Sequence, residues 1–191
     1  MDDAVRAGAP PATWTRKLAR ARVPLGFVCG AVVLWLARPE PKLLMAGLPI
    51  AAAGEALRVW AAGHLEKSRE VTQSGPYRFM RHPLYAGSAF MGIGLSIASA
   101  NLIVAVLTGV YLGTTIRAAV KTEEAFLRSA FGGDYDAYSQ GRNQPGSPAV
   151  MRRFSFERAM RNKEYRAMNG LVIASLLLVA KMMWLTPSFQ P

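Results

Sequence analysis

Apolar positions in this chain come in long unbroken runs. They show neither the alternation of a half-buried strand nor the narrow stripe of a soluble amphipathic helix. One run covers 23–37 and a second covers 43–63, where Glu55 and Arg58 are the only charged residues. A third, 83–116, holds no charged residue in 34 positions. The last is 167–185, interrupted only by Lys181. At about 1.5 Å per residue, 43–63 is long enough to cross a hydrocarbon core of about 30 Å. A single helix over 83–116 would measure about 50 Å, too long for one crossing. That run is predicted to be a helical hairpin turning near Ser99-Ala100-Asn101, its second arm reaching 120. The pattern therefore predicts five spans, at 23–37, 43–63, 83–99, 102–120 and 167–185. The first is short and depends on snorkelling of its flanking Arg22 and Arg38.

Between the spans lie two loops, 64–82 and 121–140, and a basic segment, 151–166. Within the second loop, TEEAFLRSAFGGDYDAYS places Phe126, Leu127, Ala130, Phe131, Tyr135 and Tyr138 near helical spacing, with Gly132-Gly133 as a break. It predicts an amphipathic surface helix. GRNQPGSPAV at 141–150 reads as a turn-rich linker, and MRRFSFERAMRNKEYR as a basic interfacial helix lying against anionic lipid. The expected fold is all-α: one polytopic membrane domain over 1–191 with about five transmembrane helices and cytoplasmic interfacial helices.

Composition supports this reading. Hydrophobic residues make up 51% of the chain, and its charges cluster between the runs, as expected where a charge in the bilayer costs several kcal/mol. Net charge is +11. Of the 23 lysines and arginines, five precede the first run, four lie in 64–82 and nine in 121–166. Only Arg38, Lys42 and Lys181 fall on the other side. This positive-inside bias explains the charge without nucleic acid, and it puts the N-terminus and both loops in the cytoplasm. The expected location is a bacterial inner membrane, and the lipid bilayer is the expected partner. Cys29 alone excludes a disulfide framework, and two distant histidines argue against a metal site. The basic N-terminal stretch lacks the apolar centre of a cleavable signal peptide.

The candidate chemistry gathers at SGPYRFMRHPLYAG, residues 74–87. Gly75-Pro76 makes a turn and Pro83 starts a helix, which sets His82 beside backbone N–H groups that favour anionic oxygen. Tyr77 and Tyr85 offer flat faces for a base or a sulfonium, and Arg81 can grip a carboxylate. Glu123 and Glu124 end the fourth span; a carboxylate there can accept from ribose hydroxyls or offset a cation. Glu55 and Arg58, three apart within a span, read either as a functional pair or as a structural one. An aromatic belt with arginines facing lipid phosphates is the plain alternative for 74–87.

VTQSGPYRFMRHPLYAG followed by EEAFLRSAFGGDYDAYS resembles the isoprenylcysteine carboxyl methyltransferase family and its looser phospholipid N-methyltransferase relatives, over about residues 55–140. The resemblance implies a helical membrane fold that binds S-adenosyl-L-methionine near the cytoplasmic face. It carries cofactor contacts onto Arg69, Glu70, Val71, Thr72, Tyr77, His82, Pro83, Tyr85 and Glu123; Arg81 joins them from the reading of its chemistry. It also implies an arginine four residues before the glutamate to hold a substrate carboxylate. Ala119 stands there, between Arg117 and Lys121, so Arg117 becomes the candidate substitute.

The expected function is methyl transfer to a lipid-like or amphipathic acceptor, with O-methylation of a carboxylate or hydroxyl favoured. A hydroxyl acceptor would need a base, for which His82 or Glu124 is nearest. The alternatives are N-methylation of a phospholipid-type amine, a non-catalytic membrane protein binding anionic lipid, and a reductase of related architecture. Neither the acceptor nor the oligomeric state is specified by these motifs.

Overall fold

The computed structural model describes residues 28–67, 69–141 and 148–185, with Gly26 ahead of them. Every regular element among these residues is helical. A first helix, α1, covers 28–36; the beginning of the predicted 23–37 span and the basic tail before it lie outside the described residues. Then follow α2 (Pro41–His64), a 3-10 turn (Gly75–Arg78), α3 (Pro83–Ala98) and α4 (Leu102–Phe131). The chain closes with α5 (Gly133–Ser139), α6 (Pro148–Met151), α7 (Phe156–Arg161) and α8 (Tyr165–Leu185). The helices α2, α4 and α8 are long and apolar enough to cross a membrane, and α3 is a shorter apolar helix of 16 residues.

The bundle is organised by α2 and α3. A Cβ on Gly54 would lie 2.6 Å from the Gly87 carbonyl oxygen, and one on Gly47 would overlap Gly94 and Ala98. Bare glycine backbones therefore bring the two helices together, which is how helices associate where lipid is as apolar as leucine. Large side chains such as Trp35, Met45, Leu102, Val110, Leu176 and Trp184 point outward, as a lipid-facing surface requires.

The hairpin of the third and fourth spans turns where the sequence predicted. Ala100 adopts φ +50°, and Asn101 caps α4 by accepting from the backbone N–H of Ile103 (2.9 Å) and Val104 (3.4 Å). The Asn101 amide also donates to the Leu36 carbonyl (2.9 Å), and Lys181 Nζ donates to the carbonyls of Leu34 and Trp35, each at 2.7 Å. Together they satisfy the open end of α1. Beside them Ala37, Leu44, Ala98 and Leu178 form a small apolar core.

Two expectations change. Residues 121–131 are a continuation of α4, which runs unbroken for 30 residues until Gly132 turns the chain at φ +46°. The periodicity of 122–139 thus belongs to the end of α4 and to α5. The basic segment 151–166 is likewise not one surface helix. It divides into the end of α6, a non-helical stretch 152–155, α7 capped by Ser155, and the start of α8. Its arginines turn inward: Glu66 Oε1 receives Arg158 Nε (2.8 Å), Arg152 (3.2 Å) and Arg161 (3.3 Å), and Arg152 also reaches Glu70 (2.6 Å). Burial would raise the Glu66 carboxyl, but the Arg158 hydrogen bond and the three guanidinium charges hold it below its ordinary range. Backbone bonds from Ser155 to Gly63 (3.1 Å) and from Gln73 to Ala149 (3.2 Å) complete the docking of this arm on the loop after α2.

Candidate functional site

Pro83 opens α3, where its missing N–H costs nothing. His82 is the N-cap residue but does not cap with its side chain. Its ring turns instead to α4, with Nε2 3.1 Å from Glu124 Oε1 and Nδ1 4.0 Å from Glu123 Oε2. Pro83 has no N–H, and the Tyr85 and Ala86 N–H groups both donate to the His82 carbonyl (3.1 Å each), which leaves the Leu84 N–H as the open donor of the first turn of α3. Glu124 is the hub. Arg81 lies 3.5 Å away and Arg128 3.7 Å away, so one carboxylate holds the α3 N-terminus to the end of α4. Glu123, 40% exposed, keeps its carboxylate open beside His82.

The aromatic part comes from the 3-10 turn and α5. Tyr77 is buried, and the Tyr138 hydroxyl donates to the Tyr77 carbonyl oxygen (2.8 Å). The Tyr85 ring lies 5.9 Å from the His82 ring. Val71, Tyr135 and Tyr138 form a buried cluster behind them, and the Arg128 guanidinium sits over the Tyr135 ring. Burial, and then the Glu123 charge, push the Tyr77 hydroxyl up. Burial and Glu124 raise Tyr135 to about 12; burial and Tyr135 raise Tyr138 to about 12. All three tyrosines are neutral hydroxyls at physiological pH, so none is a base.

Of the residues singled out in the sequence, Tyr77, Arg81, His82, Pro83, Tyr85, Glu123 and Glu124 meet at one end of the bundle. The 69–72 segment lies in the loop between α2 and the 3-10 turn. Glu70 pairs with Arg152, Val71 is in the aromatic cluster, and the Thr72 hydroxyl accepts from the Glu66 N–H (3.3 Å). Arg69 is exposed in the turn. Arg117 is exposed seven positions before Glu124, about 10 Å along the helix, and is not brought to it. Ala119 is buried. Arg128 and Tyr138 were missed as site residues. Their signal was present in the aromatic spacing of 122–139, which reads equally well as a lipid-facing stripe. Among the described residues no group of three His, Cys, Asp or Glu assembles that could hold a metal ion.

A separate cavity of about 440 Å³ lies at the opposite end, lined by Leu43, Ile93, Ile97, Asn101, Ala105 and Leu112 among others. Its lining offers no ionisable group.

Residues 44–134 match the phospholipid methyltransferase family model. The chain is 31% identical over 99 residues to the cobalt-zinc-cadmium resistance protein CzcN of Cupriavidus metallidurans, covering 51% of this chain and 44% of that one. It is 30% identical over 93 residues to a probable protein-S-isoprenylcysteine O-methyltransferase of Oryza sativa subsp. japonica, covering 49% of each. It is 33% identical over 116 residues to protein-S-isoprenylcysteine O-methyltransferase B of Arabidopsis thaliana, covering 54% and 58%. The chain spans about half the length of the curated relatives it matches. No solved structure matches it significantly. These matches support an isoprenylcysteine carboxyl methyltransferase and phospholipid methyltransferase-like family for residues 44–134, in line with the sequence motifs.

Proposed function

We propose that this chain is an integral membrane S-adenosyl-L-methionine-dependent methyltransferase acting on a lipid-like or amphipathic acceptor. The observation that carries the reading is the meeting of the uncapped α3 N-terminus, His82 and the α4 glutamates beside Tyr77 and Tyr85, within the family-matched region. The donor set fits the cofactor. The Leu84 N–H at the positive end of the α3 dipole suits its carboxylate, the open Glu123 suits its ribose hydroxyls or amine, and Tyr77 and Tyr85 suit its base and sulfonium. When bound, the cofactor supplies an electrophilic methyl on a positively charged sulfur. The protein's part is alignment in a water-poor site, because in-line displacement with loss of positive charge gains most from positioning.

Glu124 holds Arg81, His82 and Arg128 in one network, so its role in this reading is to fix the ring of His82 and the end of α4. The positive-inside pattern assigns this end to the cytoplasm, where the polar cofactor is available. The acceptor approaches from the bilayer between helices.

Calorimetric titration of the purified protein in lipid nanodiscs with S-adenosylmethionine and S-adenosylhomocysteine, with NADPH as control, tests the reading. Micromolar binding of either sulfur nucleotide and none of NADPH is expected. Absence of binding by folded protein would remove the enzyme reading and leave the site as an anion-binding membrane anchor.

A further inference from the structure

One polar cluster within the spans is not used by the proposed cofactor site. Glu55 of α2 is 8% exposed, and neither carboxylate oxygen accepts a hydrogen bond. Among the described residues its ionic neighbour at short range is Arg58 Nε at 3.7 Å. That nitrogen already donates to Glu164 Oε1 at 2.7 Å, while Arg58 Nη1 donates to Ser88 Oγ and to the Leu84 carbonyl (3.3 Å). Two carboxylates therefore face one guanidinium whose hydrogen bonds go to the other partners. A buried acceptor without a donor costs about 1–3 kcal/mol, more when charged, and such atoms in folded proteins call for an explanation.

The position supplies one. Leu84 and Ser88 lie on the first two turns of α3, directly beyond His82 and Tyr85, so Arg58 ties this cluster to the proposed methyl-donor site. α8 is anchored on the bundle at two places, through Glu164 on Arg58 and through Leu178 on the Leu44 core. Glu55 sits on α2 between these two anchors, and the residues of α8 between them are at most part-buried. The charged groups facing Glu55 are Arg58 of α2 and Glu164 ahead of α8, and α3 presents Ser88. A third carboxylate here would meet two others and one committed arginine. Ala119 offers no further cation, and Arg117 is exposed elsewhere.

We propose that Glu55 binds the methyl acceptor through an N–H or O–H and takes the proton that the acceptor loses. The acceptor is then an amphiphile with an amine or a hydroxyl, rather than a carboxylate. This rests on the methyltransferase reading. As the bond from the acceptor atom to the methyl carbon forms, the methyl–sulfur bond of the sulfonium breaks and its electron pair stays on sulfur. The acceptor's proton passes to a Glu55 oxygen and leaves to water after product release.

The test compares wild type with Glu55→Gln in nanodiscs, using dodecylamine, 4-dodecylphenol and dodecanoate as probe acceptors. Three readouts are taken: S-adenosylhomocysteine affinity, transfer of labelled methyl, and the infrared carboxyl band absent from the Gln variant. Product affinity is expected to be unchanged, since Gln preserves packing, while transfer to the amine or phenol falls about 10²-fold or more. The Glu55 band shifts when the amine or phenol is added and stays in place with dodecanoate; whichever probe moves it identifies the acceptor group. Glu55→Asp replaces the Gln variant if the latter loses product binding, and a partial rate is then expected. Equal transfer rates in wild type and variant, or dodecanoate as the preferred acceptor, overturns the role of Glu55. If wild type binds no sulfur nucleotide, the methyltransferase reading fails, and the infrared arm alone decides whether Glu55 binds donors: a shift supports it and an unmoved band overturns it.

Discussion

The two ends of the α3–α4 hairpin are built from the same pair of helices, yet they differ in how their backbone ends are satisfied. At the turn, neutral groups close the hairpin itself, and the Lys181 ammonium helps close the neighbouring end of α1. Asn101 caps α4 and reaches the end of α1, the Ser99 hydroxyl donates to the Ser96 carbonyl (2.7 Å), and the Arg38 N–H donates to the Ser99 carbonyl (2.8 Å). At the other end α3 has no side-chain cap, and Arg81, His82, Glu123, Glu124 and Arg128 converge. The 440 Å³ cavity is at the closed end and the ionisable cluster is at the open one. Volume in a membrane bundle is easily left between lipid-facing side chains, whereas ionisable side chains gathered at the end of membrane helices mark function.

The contrast can be broken most severely at its foundation. Gly54→Leu must part α2 from α3 and should cost about 3 kcal/mol or more, with product binding lost as well; thermal unfolding in detergent reads it, and an unchanged midpoint would contradict the glycine contact. Next come the two glutamates. Glu123→Ala should weaken S-adenosylhomocysteine binding about tenfold with stability intact, as one charge-assisted contact is lost from a half-exposed group. Glu124→Ala should lower both, because it leaves Arg81 and His82 without their shared partner; equal effects of the two would show that the hub is misassigned. At the closed end Asn101→Ala should cost about 1 kcal/mol and leave binding unchanged.

The smallest effect concerns pH. Glu66 has a depressed folded-state carboxyl, so its contribution is present above the unfolded value of about 4.3 and is lost as pH falls through the folded one. Thermal midpoints of wild type and Glu66→Gln should converge on acidification below about pH 4. A gap that persists there would mean that the arginines do not set its charge.

Much of this was legible locally. Runs of apolar residues marked α2, α3 and α8 to within a few residues and the start but not the end of α4, Ser99-Ala100-Asn101 marked the turn, and Gly132 marked the break after α4. His82 and Glu124 were both candidates, each through its own helix end. What stayed hidden depends on pairs far apart in sequence. The basic look of 151–166 follows from its composition, but its fold is set by Glu66 and Glu70, more than eighty residues earlier. The Arg58–Glu164 bond, 106 residues apart, leaves no trace in periodicity. For the same reason Arg117, chosen as a neighbour of Ala119, proved to be exposed, since spacing alone did not show which neighbour faced inward.

The most direct test of the central claim is ultraviolet crosslinking of labelled S-adenosylmethionine to the protein in nanodiscs, with the labelled peptide mapped by mass spectrometry. The account predicts label within 75–85 or at 123–124, competed away by S-adenosylhomocysteine. Competed label confined to the 92–112 cavity lining, or no label that S-adenosylhomocysteine displaces, would contradict it.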